Sequence, residues 1–255
     1  MQKINYKVLS VVVLGILIFC GVGFLTYRNF IRPVIIKDSQ DDNKFSFYLQ
    51  NPNGDKKHFE ETTDWYEAKI DYPNKSKVVT DKIFSMWSDF AKENTLKDYT
   101  NLADAKKGLD INIESLKYSF IAEYSIATST NYITYVYTIY NFTGGAHGST
   151  YVFPITLNEK NEVVKVEDIL PSNLLNKVSK ISKIKILAEK IKRMGDYVAK
   201  DDTFVDEGVK PTRENYTNVW PVGDGDLMID FGQYQVGSYA EGLYDIRISK
   251  SELAN

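Results

Sequence analysis

With 255 residues, 43% of them hydrophobic and 13% aromatic, the chain is long and apolar enough to bury a core, which excludes a disordered polymer. The first 37 residues carry five basic and no acidic side chains, so the remainder holds 26 basic against 34 acidic, a net of −8. That balance disfavours nucleic acid as a partner and leaves a basic partner open. The single cysteine, Cys20, excludes an internal disulfide framework.

In chain order, Val8 to Tyr27 comes first: twenty residues without a charge, about 30 Å as a helix, which matches the hydrocarbon core of a bilayer. No A-x-A-like cleavage site precedes Arg28, and Phe19 before Cys20 departs from a lipobox, so the expectation is an uncleaved anchor. Basic residues flank both ends, Lys3 and Lys7 against Arg28, Arg32 and Lys37. The short stub before the span favours a single pass through a bacterial plasma membrane with the carboxy-terminal part outside. Three regions follow: a stub and anchor over residues 1–27, a polar spacer over 28–63, and an extracytoplasmic domain over 64–255.

The spacer is rich in Asp, Asn, Lys and Gln, with a short strand expected at Phe45 to Leu49 and a turn at Asn51 to Asp55. "WYEAKIDYP" reads as a strand, and Thr80 followed by Asp81 as the cap of a helix whose apolar face is Ile83, Phe84, Trp87, Phe90 and Ala91. "KYSFIAEYSIATS" and "NYITYVYTIYNF" have the aromatic and β-branched enrichment of paired strands, joined by a turn at Thr128 to Asn131. "TYVFPITL" and "EVVKVEDI" predict another hairpin, after which Ser172 opens a helix with Leu174, Val178, Ile181, Ile184, Leu187, Ile191, Met194 and Val198 at steps of three or four. Its lysine-rich opposite face reads as solvated. "DLMIDFGQYQV" and "YDIRISKSEL" are the last strands, connected by "GSYAEG". Strands mixed with two helices predict an α+β fold with one mainly antiparallel sheet packed by those helices, preceded by a transmembrane helix.

Neither histidine sits in a metal-binding pattern, and no metal or cofactor is expected: His58 lies in the spacer and His147 in a turn, without an H-E-x-x-H helix or a Cys/His cluster. "GGAHGS" does not match a nucleophile elbow, whose central residue is serine. His147 with Ser149 remains the one arrangement that offers a base and a nucleophile, and a glycan hydrolase or deacetylase using His147 is the competing enzyme reading. A purely structural envelope protein is the third. Asp224 and Asp226 read as a turn rather than a calcium loop. Tyrosine, eighteen in all, is the more informative residue type, because it supplies rigid amphipathic contact area. Tyr234 and Tyr239 stand between strands, where they are available to a ligand.

A tyrosine-rich strand running into Gly144, Gly145, Ala146, His147 and Gly148, and a late stretch with Phe231, Tyr234, Val236, Tyr239, Ala240 and Gly242, carry a resemblance. Over roughly Trp65 to Leu253 the chain resembles the extracytoplasmic domain shared by the anti-sigma factor RsiV and the amino-terminal part of the peptidoglycan deacetylase PdaC. This is the domain-of-unknown-function 3298 type with its preceding 4163-type portion. The resemblance implies an anchored, non-catalytic module that recognises a basic protein such as lysozyme, or cell-wall glycan, through Gln233, Tyr234, Gln235 and Tyr239. Gln233 stands where that family usually has proline. Gly144, Gly145, His147 and Gly148 are then the structural motif of a turn, with the glycines providing backbone shapes other residues resist.

Overall fold

The computed structural model describes residues 49–50, 54–63, 66–97, 117–144, 146–195 and 202–254. The proposed anchor, Val8 to Tyr27, lies outside them, as do Phe45 to Tyr48, Asp64, Trp65, Gly145 and Val198. Among the described residues no helix is long and apolar enough to cross a membrane. They belong to one compact unit, Tyr48–Asn255.

Two sheets, rather than the single one expected, organise this α+β unit. The larger runs β2 (Lys56–Thr62), β3 (Tyr66–Pro73), β4 (Tyr118–Thr128), β5 (Tyr132–Phe142), β6 (Ser149–Asn158), with the two-residue β1 (Leu49–Gln50) paired to the far end of β4. The stretch read as a spacer therefore contributes β1 and β2 to the sheet. β3 and β4 pair in parallel, a departure from the antiparallel expectation. A parallel junction needs a crossover, and the chain places helix α1 (Lys77–Lys97) within it. The helix starts before the expected cap; Thr80 sits in its first turn and donates its hydroxyl to the Pro73 and Ser76 carbonyls. Its expected apolar face is the real one: Ile83, Trp87 and Phe90 are buried, against Phe120, Tyr137 and Ile139 of the sheet. Trp87, Phe90 and Phe120 meet ring to ring at 5.3–5.9 Å.

The smaller sheet is antiparallel, β7 (Val219–Val222), β8 (Asp226–Phe231), β9 (Tyr244–Ile248). The sequence reading missed β7, because Pro221 and the following Gly-Asp-Gly masked a strand only four residues long. Glu162 to Ile169 forms no strand: Val163 makes one bridge to Leu157, and Val166–Ile169 is a short helix, α2. Helix α3 (Leu175–Met194), entered through a 3-10 turn at Ser172–Leu174, packs on the smaller sheet, followed by α4 (Thr203–Gly208); α5 (Lys250–Ala254) ends the unit. The inward stripe of α3 is Leu175, Val178, Ser182, Ile186 and Lys190, so Ile184, Ile191 and Met194 of the expected stripe are exposed instead. The two sheets are stitched at their turns: Gly223 donates to the Thr128 carbonyl at 2.9 Å, and Thr130 donates to the Gly223 carbonyl at 3.1 Å.

Candidate functional site

The turn between β5 and β6 begins with Gly144 at φ 89°, a conformation that L side chains resist. Gly148 is required for another reason. A β-carbon there would stand 2.4 Å from the Tyr140 ring, so the ring packs directly on the backbone. Two side chains converge on the Gly148 carbonyl: His147 donates from Nδ1 at 3.0 Å and Tyr239 donates its hydroxyl at 3.0 Å. Because a carbonyl can only accept, this contact puts the proton of neutral His147 on Nδ1 and leaves Nε2 as an acceptor. The Tyr234 hydroxyl donates to it at 3.3 Å. The imidazole also stacks on Tyr239, ring centroids 3.8 Å apart and planes inclined by 24°.

The opposite wall is the turn Gly232 to Gln235, closed by the Gln235 amide on the Gly232 carbonyl at 3.1 Å. Tyr234 is its third residue and adopts φ 66°, where glycine or asparagine is usual. The surroundings hold it there. Gln235 accepts from the Gly232 amide and donates to the carbonyls of Gly208 and Asn215 at 3.1 and 3.0 Å. Gly208 must be glycine, since a β-carbon would lie 2.0 Å from the Gln235 carbonyl oxygen. Gln233, for its part, accepts from the Thr150 amide at 2.9 Å and so ties this turn to the first residues of β6. The four residues expected to meet a partner thus divide: Tyr234 is 52% exposed, Tyr239 is half-buried with its pKa raised by burial, and Gln233 and Gln235 are turned to the protein's own backbone.

Behind Tyr239 the chain makes a 3-10 turn, Tyr239–Glu241, with a capping box between Ser238 and Glu241. Glu241 accepts from the Ser238 amide at 2.7 Å, the Tyr244 hydroxyl at 2.8 Å and Lys190 Nζ at 3.0 Å. Burial opposes its charge, but these donors prevail and hold its pKa at about 2. Lys190, 3% exposed, also reaches Asp202 at 2.6 Å; burial works against its charge, and the two carboxylates nevertheless raise its pKa. A cavity of about 590 Å³ opens beside this lock, lined by Arg193, Met194, Phe204 and Tyr244. Its charged groups answer one another, and Arg193 lies over Tyr244 at 4.1 Å while donating to the Glu241 and Leu243 carbonyls.

What the His147 cluster offers chemically is an aromatic surface with hydroxyl and imidazole edges. Among the described residues no serine hydroxyl reaches His147, and no carboxylate orients it; its basic nitrogen already accepts from Tyr234. No group of three or more His, Cys, Asp or Glu residues among them is placed to hold a metal ion. His58 lies instead on β2, bonded to Asp71 at 2.9 Å. Sequence reading placed Tyr140 on the tyrosine-rich strand but not its ring against Gly148, and it missed Gly208 and the Ser238–Glu241 box. Of what was missed, only the S-x-x-E spacing of the box was there to be found.

Residues 59–150 match the family described as "Deacetylase PdaC", and residues 167–251 match the "Protein of unknown function (DUF3298)" family. No curated protein matches the chain. The crystal structures that share its fold include two DUF3298 proteins. One is a member of the DUF3298 family from Bacteroides fragilis NCTC 9343, with TM-score 0.57 and 17% identity. The other is a DUF3298 family protein from Pseudomonas aeruginosa PAO1, with TM-score 0.50 and 15% identity. Each comparison covers 78% of this chain and 91% of the other. His147 and Gly148 close the first matched region while Tyr234 and Tyr239 belong to the second, so the cluster sits where the two halves meet.

Proposed function

Since the chain carries a PdaC-type half and a DUF3298 half in one folded unit, we propose that it is an extracytoplasmic binding module, tethered to a bacterial plasma membrane through Val8 to Tyr27. Its contact surface is the cluster of Tyr234, Tyr239 and His147, with Gln233 and Gln235 fixing the turn behind it. The observation that carries this reading is Tyr234. A turn needs no tyrosine at φ 66°, where the conformation costs about 1–3 kcal/mol, yet this ring is held there and left 52% exposed. Strain of this kind, kept by surrounding hydrogen bonds and set beside a stacked imidazole, supports a surface built for contact. The net charge of −8 beyond residue 37 favours a basic protein of the lysozyme kind as the partner. Stacking surfaces of tyrosine also suit the apolar faces of glycan rings, the second partner class.

Titration of the unit Tyr48–Asn255 with lysozyme, and separately with soluble peptidoglycan fragments, tests the proposal. Tyr234→Asn keeps a residue suited to the turn and removes the ring, so it should weaken binding at least about tenfold, the loss of a contact worth about 1.4 kcal/mol, with an unchanged unfolding midpoint or a higher one. Equal affinity of parent and Tyr234→Asn for whichever ligand binds would remove this surface from the proposal. Saturable binding to neither ligand would remove both partner classes.

A further inference from the structure

Seven large hydrophobic side chains are exposed among the described residues, and four of them lie together in the chain: Ile184 at 70%, Ile191 at 45%, Met194 at 37% and Phe204 at 47%. Such concentration marks a patch rather than scatter. Ile184 and Ile191 are one heptad apart on α3 and therefore share a side of the helix, with Ala188 between them and Lys180 one turn before. Met194 and Phe204 line the same cavity at the end of this face.

Around the strip the helix is basic. It holds seven lysines and arginines against Glu189 alone, in a region whose net charge is −8. Part of this charge is answered by neighbouring elements: Lys183 pairs with Asp206, Lys185 with Glu252 at 2.8 Å, Arg193 with Glu189 at 2.9 Å, and Lys190 is locked inside. Lys177 donates to the Leu253 carbonyl, which leaves its charge in place, and Lys180 is exposed.

We propose that this face of α3, with Phe204, rests on an anionic phospholipid surface, the apolar strip at the headgroup–acyl boundary and the lysines among the phosphates. A polyanionic polymer would engage the lysines but gain nothing from Ile184, Ile191, Met194 and Phe204; a bilayer rewards both. One short face of this kind binds weakly and reversibly, so it acts through a tether that keeps it near the membrane. The inference thus rests on the anchoring of the chain proposed above. Residues 28–48 separate Tyr27 from β1, and a chain of that length spans at most about 70 Å, enough for the unit to lie back on the bilayer.

The test uses the full chain with Cys20→Ser and one new cysteine carrying a fluorophore, either Ala188→Cys on the strip or Thr138→Cys on an exposed position of β5. The chain is reconstituted in phosphatidylcholine vesicles with and without phosphatidylglycerol, containing a spin-labelled lipid as quencher. With phosphatidylglycerol, the label at 188 should be quenched at least about twofold more than that at 138; Ile184→Asn with Ile191→Asn, or Lys180→Glu with Lys177→Glu, should remove the difference. Equal quenching of the two labels overturns the proposal. So does displacement of the label-188 signal by soluble polyphosphate that persists in the Ile184→Asn, Ile191→Asn variant, which would assign the face to a polyanion. Alkaline extraction reads the anchor separately: if the chain is released, anchoring fails, and the same labels read with vesicles added to the detached chain decide the helix face alone.

Discussion

At Gly148 a single hydrogen atom in place of a side chain allows Tyr140 to close over the backbone while the carbonyl on the other side receives His147 and Tyr239. Gly148→Ala forces a methyl group to within 2.4 Å of that ring, so it should lower stability in urea by about 1–3 kcal/mol, the range for overpacking, and disturb the stacking of His147 on Tyr239. An unchanged urea midpoint would mean that Tyr140 moves aside freely. Lys190 is the opposite kind of residue, a buried charge whose partners are complete. Lys190→Met leaves Asp202 and Glu241 facing each other without their cation and should cost about 3–5 kcal/mol. Adding Asp202→Asn and Glu241→Gln should recover much of the loss, which a simple packing defect would not allow.

Between elements, the most telling pair lies across β8 and β9, where Asp230 and Asp245 are in direct register. Burial pushes both carboxyls up, Asp245 to about 6, against the pull of Arg193. A raised carboxyl binds its proton more tightly folded than unfolded, so its contribution is complete at low pH. It declines as pH rises from the ordinary aspartate value of about 4 towards 6. Glu241 works in the other direction and below this window, its contribution fading only as pH falls from about 4 towards its native value of about 2. The urea midpoint should therefore drop between pH 4 and 7, and Asp245→Asn should flatten that drop; a parent protein with no decline would contradict the assignment. Long elements such as α1 and the tyrosine-rich β4 and β5 were legible in the sequence because their periodic faces are also their buried faces. The α3 pattern misled because a helix with two apolar sides shows one period, and only packing selects Leu175, Val178 and Ile186 over Ile184 and Ile191. β7, four residues with a proline, is too short for any pattern to register. The candidate site was visible as two motifs, but their meeting at the Gly148 carbonyl depends on contacts 91 residues apart, which no local spacing encodes.

Across the whole unit, the two cores are separate clusters, one under α1 and one under α3, yet the sheets share hydrogen bonds at Gly223 and at Thr150. Trp87 belongs to the first core and Trp220 lies buried in β7 of the smaller sheet. In a Trp65→Phe background, which leaves one tryptophan in each variant, unfolding followed in Trp87→Phe and Trp220→Phe should give coincident transitions if the halves unfold together. Two midpoints would show that the stitching is weaker than either core. The bond from the Tyr239 hydroxyl to the Gly148 carbonyl also bears on how such a module can be moved between proteins. A designer who grafts only the later half, with its tyrosine turn, onto another scaffold transfers the rings without the carbonyl, the imidazole and the Thr150 amide that aim them. The transplantable cassette is the pair of halves together, and any fusion junction belongs outside both, never in the β6 strand that runs between them.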